Sequence, residues 1–538
     1  MPILLKQNRL YILILILLVF ITYVNSLNNA FLSDDLPEIV QNPNVGNLLS
    51  AISTHPTGSI RPVIYWISFH IGGLIPFFFR ITNVLFHLGS TILIFVILNR
   101  IHKSKKVAFF VASLFAVHPA IAEAVIWISG GMYAQYSFFF LLSLFFYIKE
   151  GRKFYWWSMF CFLLSLMSHP VMPVALWLVF PLFELVFGNF KKNWLKALPF
   201  LLLSIAYIFV NLASLPERET TLHSVHYQEK GIDNMFVLVP IAVSSYLQLL
   251  IFPKGLTLYH SELAFSQLEF SIIIAVCLIF LALLFISFRK NKPIFFWLSF
   301  FWLALAPTLT PFRLNWIVAE RYLYLPSIGL FTSLGLILNK LFQKQKYQYF
   351  GYVVFTIAII LLSVRTMVRN VDWQNEDNLW IATGKTSPSS PNTHNNLGDV
   401  YGRQGDKQAA LREFQTAIAL KPNYGDAYHN LANTYRELGE MDKALENYQK
   451  ATEYNPGLWQ SYQNIAAIYF ERKLYDKALE NIQKAIEINP KNINLRNNLG
   501  IVFLAKGEKQ KAKEIFQLVL SVDPQNQYAQ QALIEINK

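Results

Sequence analysis

Asp34 and Asp35 stand side by side in NNAFLSDDLPEIVQNPN, residues 28–44, directly after the first strongly apolar run of a 538-residue chain. An ionised carboxylate costs about 2.5 kcal/mol or more inside a bilayer, so a pair at its edge sits in a loop, a cavity or a site. Adjacent carboxylates push one pKa up, which suits a general base. Glu38, Asn42 and Arg61 share the outer segment. A solvated helix cap is the plainer account of such a pair and stays open beside the catalytic one.

Three other groups have chemistry to offer. Arg61-Pro62 precedes Tyr65, Trp66, Phe69 and His70, the pattern of an interfacial helix with aromatic anchors. Its guanidinium fork fits a lipid phosphate or anchors the interface. In FAVHPAIAEAVIWISGGMY, residues 115–133, His118 and Glu123 fall near the outer end of an expected span, and His169-Pro170 marks another outer turn. An intramembrane Glu points to function; the alternative is a His and Glu bonded to each other or to backbone. In AERYLYLPSIG, residues 319–329, Glu320 and Arg321 lie at the mouth of a further span, with Arg313 just before. They suit a phosphate leaving group or form an internal salt bridge. His55, His70, His118 and His169 lack the spacing of helical ligand pairs, so no metal and no cofactor are expected.

These groups need a membrane frame to hold them. With 54% hydrophobic and 15% charged residues the chain is no single soluble domain. Apolar stretches near 10–27, 75–99, 107–127, 132–149, 154–169, 171–187, 197–214, 270–288, 293–310, 322–341 and 349–367 predict eleven spans. The segment 234–252 is more polar and is expected to lie in-plane or re-entrant, and Arg61–Ile71 is too short to span. Basic loops at 100–106, 149–153, 191–196, 289–292 and 340–346 are cytoplasmic by the positive-inside rule. The Asp pair, the loop 214–269 and the tail then share the extracytoplasmic side, although Arg365 and Arg369 sit at the outer end of the last span. No small-x-small site follows the first apolar run, so it reads as an uncleaved anchor. The formal charge of +13 sits in short loops of the membrane half, since the tail from Pro388 has 18 Lys+Arg against 17 Asp+Glu, and nucleic acid is not an expected partner. Cys161 and Cys277, inside apolar runs, are packing residues.

The tail declares itself by period. Pro388, Pro422, Pro456, Pro490 and Pro524 recur every 34 residues, the tetratricopeptide spacing. Leu397, Gly398, Tyr401, Ala410, Phe414 and Ala417 fill the repeat positions in the first unit, and the next three follow suit, with Val519 where Ala is usual. The expected fold is therefore all-α: a polytopic helix bundle over 1–387, then an α-solenoid over 388–538 of four repeats and a closing helix. Its groove would bind a partner peptide or protein.

Asp34-Asp35 with Asn42-Pro43, Arg61-Pro62, Asn83 and His87, FAVHPAIAEA, ERYLYLPSIG, Trp373 with Glu376, and the tail occur in an order that resembles the transmembrane and tetratricopeptide repeat-containing O-mannosyltransferases and their bacterial relatives, of the GT-C class. The resemblance implies a sugar donor carried on a polyprenyl phosphate, an acidic residue of the first outer loop as base, and inversion without a required metal. It makes Asp34 or Asp35 the base, with Arg61 and Arg321, beside Glu320, on the donor phosphate, and acceptor protein as the second substrate. The protein would then be integral to a bacterial inner membrane or the endoplasmic reticulum membrane, with its tail extracytoplasmic. Met132-Tyr133 and Ser168-His169-Pro170 depart from the family's usual charged residues, which leaves the sugar open. The competing reading is a membrane-anchored scaffold in which only the repeats work.

Overall fold

Helices and turns account for all the regular structure among the described residues. The computed structural model describes residues 8–54, 58–212, 234–309, 317–341 and 345–537. Contacts divide the chain into two units, Met1–Thr386 and Ser387–Lys538. His55, Arg313 and residues 214–233 of the expected outer loop lie outside the described residues.

The first unit runs through α1 (Arg9–Tyr23), α2 (Leu48–Thr54), α3 (Ile60–Gly72), α4 (Pro76–His102), α5 (Lys105–Val117), α6 (Glu123–Ile126), α7 (Met132–Ile148) and α8 (Arg152–Ser168). It continues through α9 (Val179–Val186), α10 (Phe190–Asn193), α11 (Leu198–Leu212), α12 (Met235–Ile251), α13 (Gln267–Lys290), α14 (Lys292–Leu305), α15 (Ser327–Leu341), α16 (Gln345–Asp372) and α17 (Glu376–Thr386). First and last long helices are joined: Thr22 Oγ1 meets Ser363 Oγ at 2.7 Å, and the Asn370 amide donates to Thr22 O at 2.8 Å. The α7–α8 hairpin is pinned by Ser143 and Ser158, whose hydroxyls each donate to the other's carbonyl at 2.7 and 2.8 Å.

Six of the eleven expected spans are long and apolar enough to cross a membrane: Arg9–Ser26, Pro76–His102, Ser129–Ile148, Phe190–Leu212, Gln267–Lys290 and Gln348–Asp372. The other five are shorter helices, and proline explains each. Proline removes a helical N–H and drives the residue before it out of the helical region. The run expected over 107–127 stops at Val117, where His118 before Pro119 is extended at φ −74°, ψ 124°. Helix α8 stops at His169 before Pro170, at φ −149°, ψ 130°. The expected 171–187 span opens as a tight helix with Pro173, Met172–Leu178. Pro307 tightens the end of α14, and Pro326 delays α15 to Ser327. The segment 234–252 forms α12, a helix containing Pro240. Non-helical backbone at such depth is tolerated where protein buries it, and these unwound ends hold His118, Glu123, His169, Glu320 and Arg321.

The second unit is four helical hairpins and a closing helix: α18 (Pro391–Arg403) with α19 (Lys407–Leu420), α20 (Gly425–Glu437) with α21 (Met441–Tyr454), α22 (Trp459–Glu471) with α23 (Tyr475–Ile488), α24 (Ile493–Lys506) with α25 (Lys509–Val522), and α26 (Gln527–Asn537). A side chain at Gly398 would come within 2.5 Å of the Phe414 ring, so the small residue sets how closely the first hairpin packs.

Candidate functional site

The loop that carries the Asp pair is clamped from behind. Arg80, fully buried in the first turns of α4, donates Nε to Ile126 O at 2.7 Å. Its Nη1 reaches Leu27 O at 3.2 Å and Asn29 O at 2.5 Å, and Nη2 reaches Ala30 O at 2.9 Å. From the other side Ala30 N–H donates to Gln374 O at 2.9 Å, and the Asn29 amide to Asn370 O at 2.8 Å. The chain then turns at Ser33, φ 50°, into a wide helical turn, Leu36–Val40, that Pro37 helps begin.

This turn sends the two aspartates opposite ways. Asp35 is buried and accepts three hydrogen bonds: Leu32 N–H at 3.1 Å, Ser129 N–H at 2.8 Å and Ser129 Oγ at 2.6 Å. Asp34 is exposed, with Ser33 Oγ 3.5 Å from its Oδ1. The expected mutual repulsion is not what perturbs Asp35. Burial pushes its carboxyl up to about 6, against the pull of Ser129, Leu32 and Arg80. Glu38 is raised as well, first by burial, while Arg61 opposes and Asp34 adds to the rise. Arg61 Nη2 stands 2.9 Å from Glu38 Oε1, and Ser129 Oγ lies 3.2 Å from Glu38 Oε2. The exposed rim is thus Asp34 beside an Arg61–Glu38 pair.

Glu320 and Arg321, adjacent in sequence, also part. Arg321 Nη1 contacts Glu123 Oε1 at 2.6 Å, and its backbone N–H donates to Glu123 Oε2 at 3.1 Å. The guanidinium carbon lies 5.6 Å from the Trp127 ring centre and 5.3 Å from that of Tyr322. Glu320, fully buried, faces Arg369 at 3.2 Å, takes a short hydrogen bond from Thr257 N–H, and has His260 Nε2 at 3.9 Å. Burial raises its carboxyl above the usual range, with Arg369 opposing. So the charged pair expected at a cavity mouth is two internal ion pairs, Arg321–Glu123 and Arg369–Glu320, and each carboxylate compensates a cation that burial would otherwise penalise.

The two histidines are structural in what they touch. His118 Nδ1 accepts Ala120 N–H at 3.3 Å and Nε2 meets Leu250 O at 3.1 Å, an arrangement that needs the neutral ring. It bonds backbone, not Glu123. His169 Nδ1 accepts from Val171 and Met172 N–H, both at 3.2 Å, and its ring packs on Tyr133 at 4.7 Å. Among the described residues no three His, Cys, Asp or Glu side chains are grouped to hold a metal ion.

The Asp34 rim and the Arg321 cluster meet through three residues. Trp127 turns its ring to Arg321 and, at 6.0 Å, to Trp373, while Ser129 holds Asp35. At most about 7 Å of chain separates their backbones. Asn83 fixes this bridge by donating to Trp127 O at 3.0 Å, and a side chain at Gly131 would come 1.9 Å from Asn83 Oδ1, so only glycine fits there. His87 Nδ1 meets Tyr324 OH at 2.9 Å, tying α4 to the ERYLYLPSIG turn. Arg80, Ser129, His260 and Arg369 escaped sequence reasoning as site residues. The signal for Arg80 was a lone Arg inside PFFFRITN.

Residues 391–424, 425–458 and 493–526 match the tetratricopeptide repeat family model, and 466–507 a TPR repeat model. A Caenorhabditis elegans protein O-mannosyl-transferase is 25% identical over 454 residues, 78% of this chain and 64% of its own. The chain resembles the protein O-mannosyl-transferases that carry tetratricopeptide repeats. The human protein O-mannosyl-transferase TMTC1 is likewise 25% identical over 482 residues, 75% of this chain and 54% of that protein. The chain therefore spans somewhat more than half the length of these O-mannosyl-transferases. Among solved structures, that of MamA protein covers 27% of this chain and 79% of its own at 23% identity and TM-score 0.25.

Proposed function

We propose that this membrane protein transfers a sugar from a polyprenyl-phosphate donor to a hydroxyl acceptor on the extracytoplasmic side, with Asp34 as the general base. One observation carries the reading: the loop is anchored by Arg80 and by Asp35–Ser129, yet leaves Asp34 exposed beside a basic residue. A base must be held still and reachable. Asp34 takes the proton of the acceptor hydroxyl, whose oxygen forms a bond to the anomeric carbon as the bond to phosphate breaks. The prenyl phosphate leaves with the bonding electrons, and the configuration inverts. Arg321 and Arg61 stabilise the departing charge. The displacement draws on these side chains and the lipid-linked sugar alone, with no metal or cofactor invoked.

The repeats bind the acceptor or a partner polypeptide. Asn396, Asn430, Asn464 and Asn498 recur at the repeat period on the first helix of each hairpin, all half-buried. Asn430 donates to Asn395 of the preceding repeat at 3.1 Å and Asn464 to Asn433 of the preceding repeat at 3.3 Å. Each amide offers a donor and an acceptor, the needs of an extended peptide backbone.

The scaffold reading draws on a different observation: Arg61 and Arg321 are both engaged by carboxylates. Purified protein in detergent, supplied with a panel of radiolabelled polyprenyl-phosphate sugars and membrane-protein acceptors, separates the two. Label appearing on protein from one donor is the expected result. No transfer from any donor would turn the reading to the scaffold.

A further inference from the structure

Between the two ion pairs lies a group of hydrogen-bond donors with nothing to donate to. Trp127 Nε1, Trp373 Nε1, Arg369 Nε and His260 Nε2 are buried and have no hydrogen-bond partner. Trp373 and Arg369 are 1% and 0% exposed and Trp127 is 8% exposed. They form one neighbourhood. The two indoles are 6.0 Å apart, Arg369 stands 5.7 Å from the Trp373 ring centre, and both Arg369 and His260 face Glu320, at 3.2 and 3.9 Å.

Leaving such groups unpaired is costly, and native interiors rarely keep several together without a ligand, ion or water. Indole N–H and guanidinium Nε donate only, so whatever satisfies them brings acceptors. The indole faces are already covered, Trp127 by Arg321 and Trp373 by Arg369. That leaves the N–H edges, which suit oxyanion oxygens and not a stacked ring. Arg321 and Arg369 lie beside them, each already paired with a carboxylate, so the unpaired N–H edges and not net positive charge are what call for acceptor oxygens.

We infer that Trp127, Trp373, Arg369 and His260, with Arg321 at its edge, form a phosphate-binding site. The inference depends on the proposed reaction only for what the phosphate carries, a prenyl chain. In the cycle this site would hold the leaving prenyl phosphate beside Arg321.

The test is fluorine NMR of detergent-purified full chain labelled with 5-fluorotryptophan, titrated with inorganic phosphate and separately with farnesyl phosphate. Of the 12 tryptophans, Trp127 and Trp373 are assigned by the line each loses in Trp127→Phe and Trp373→Phe. Saturable movement of those two lines is expected, with tighter binding of the prenyl ester if the lipid-borne phosphate is the ligand and equal binding if free phosphate is. Trp373→Phe should weaken binding about tenfold, the loss of one hydrogen bond to a charged acceptor. His260→Gln, in a loop, should weaken it several-fold even if the Trp variant folds poorly. Lines that stay put with both ligands, or all tryptophan lines moving alike, would overturn the site and leave water as the partner of these donors. Sugar transfer seen without any shift sinks this inference alone, whereas shifts without transfer sink the enzyme reading and leave the site.

Discussion

Burial separates Asp34 from Asp35 more sharply than any difference in residue type could. Asp35 keeps its proton up to about pH 6 in the fold against 3.8 as the ordinary value. The folded state thus holds that proton more tightly than the unfolded chain. The stability Asp35 contributes is full below about pH 4 and falls as pH rises to about 6. Thermal unfolding in detergent across that window should show the decline, and Asp35→Asn should flatten it. Arg80→Lys keeps the charge but replaces the fork that serves four carbonyls, so it should destabilise the protein by about 3 kcal/mol. Thermal unfolding followed by size exclusion measures that loss, with the loop at 27–30 becoming protease-sensitive first. The Asp pair was visible in the sequence because two acids beside an apolar run are conspicuous. Which of them is free was not visible, since that depends on Ser129, 94 residues away in the chain.

Proline decides where the five short spans begin or end, and periodicity decides the repeats. The repeat unit was legible almost to the residue because every turn of it is local and recurs. The five short spans were not, because hydropathy reports how apolar a segment is and says little about where its helix ends. The HP dipeptides at 118–119 and 169–170 were on the page, and their effect is to unwind two of the ends that build the site. In the repeats the turn between helices uses a left-handed residue: Gly405 at φ +86°, Gly439 at +79° and Gly507 at +90°. The third repeat has Lys473 there at φ +58°. A side chain in that conformation costs about 1 kcal/mol. Lys473→Gly should therefore stabilise the third repeat by up to about 1 kcal/mol, seen as slower amide exchange in α22 and α23.

For the molecule as a whole, the side of the membrane on which the repeats stand decides which acceptors they meet. Both native cysteines are buried, so a single exposed cysteine reports its own side. Ser521→Cys in the repeats should react with a membrane-impermeant maleimide from outside sealed cells. Lys192→Cys, in an expected cytoplasmic loop, should react only after the membrane is opened. The reverse pattern would place the tail in the cytoplasm and separate it from the Asp34 rim.

The central claim is that Asp34 is the base while Asp35 holds the loop. Sugar transfer by wild type, Asp34→Asn and Asp35→Asn, each checked for folding, tests it most directly. Asp34→Asn should remain folded and lose about a hundredfold or more in rate, while Asp35→Asn should lose stability first and activity in proportion. Asp34→Asn transferring sugar as fast as wild type would contradict the account, whatever Asp35→Asn did.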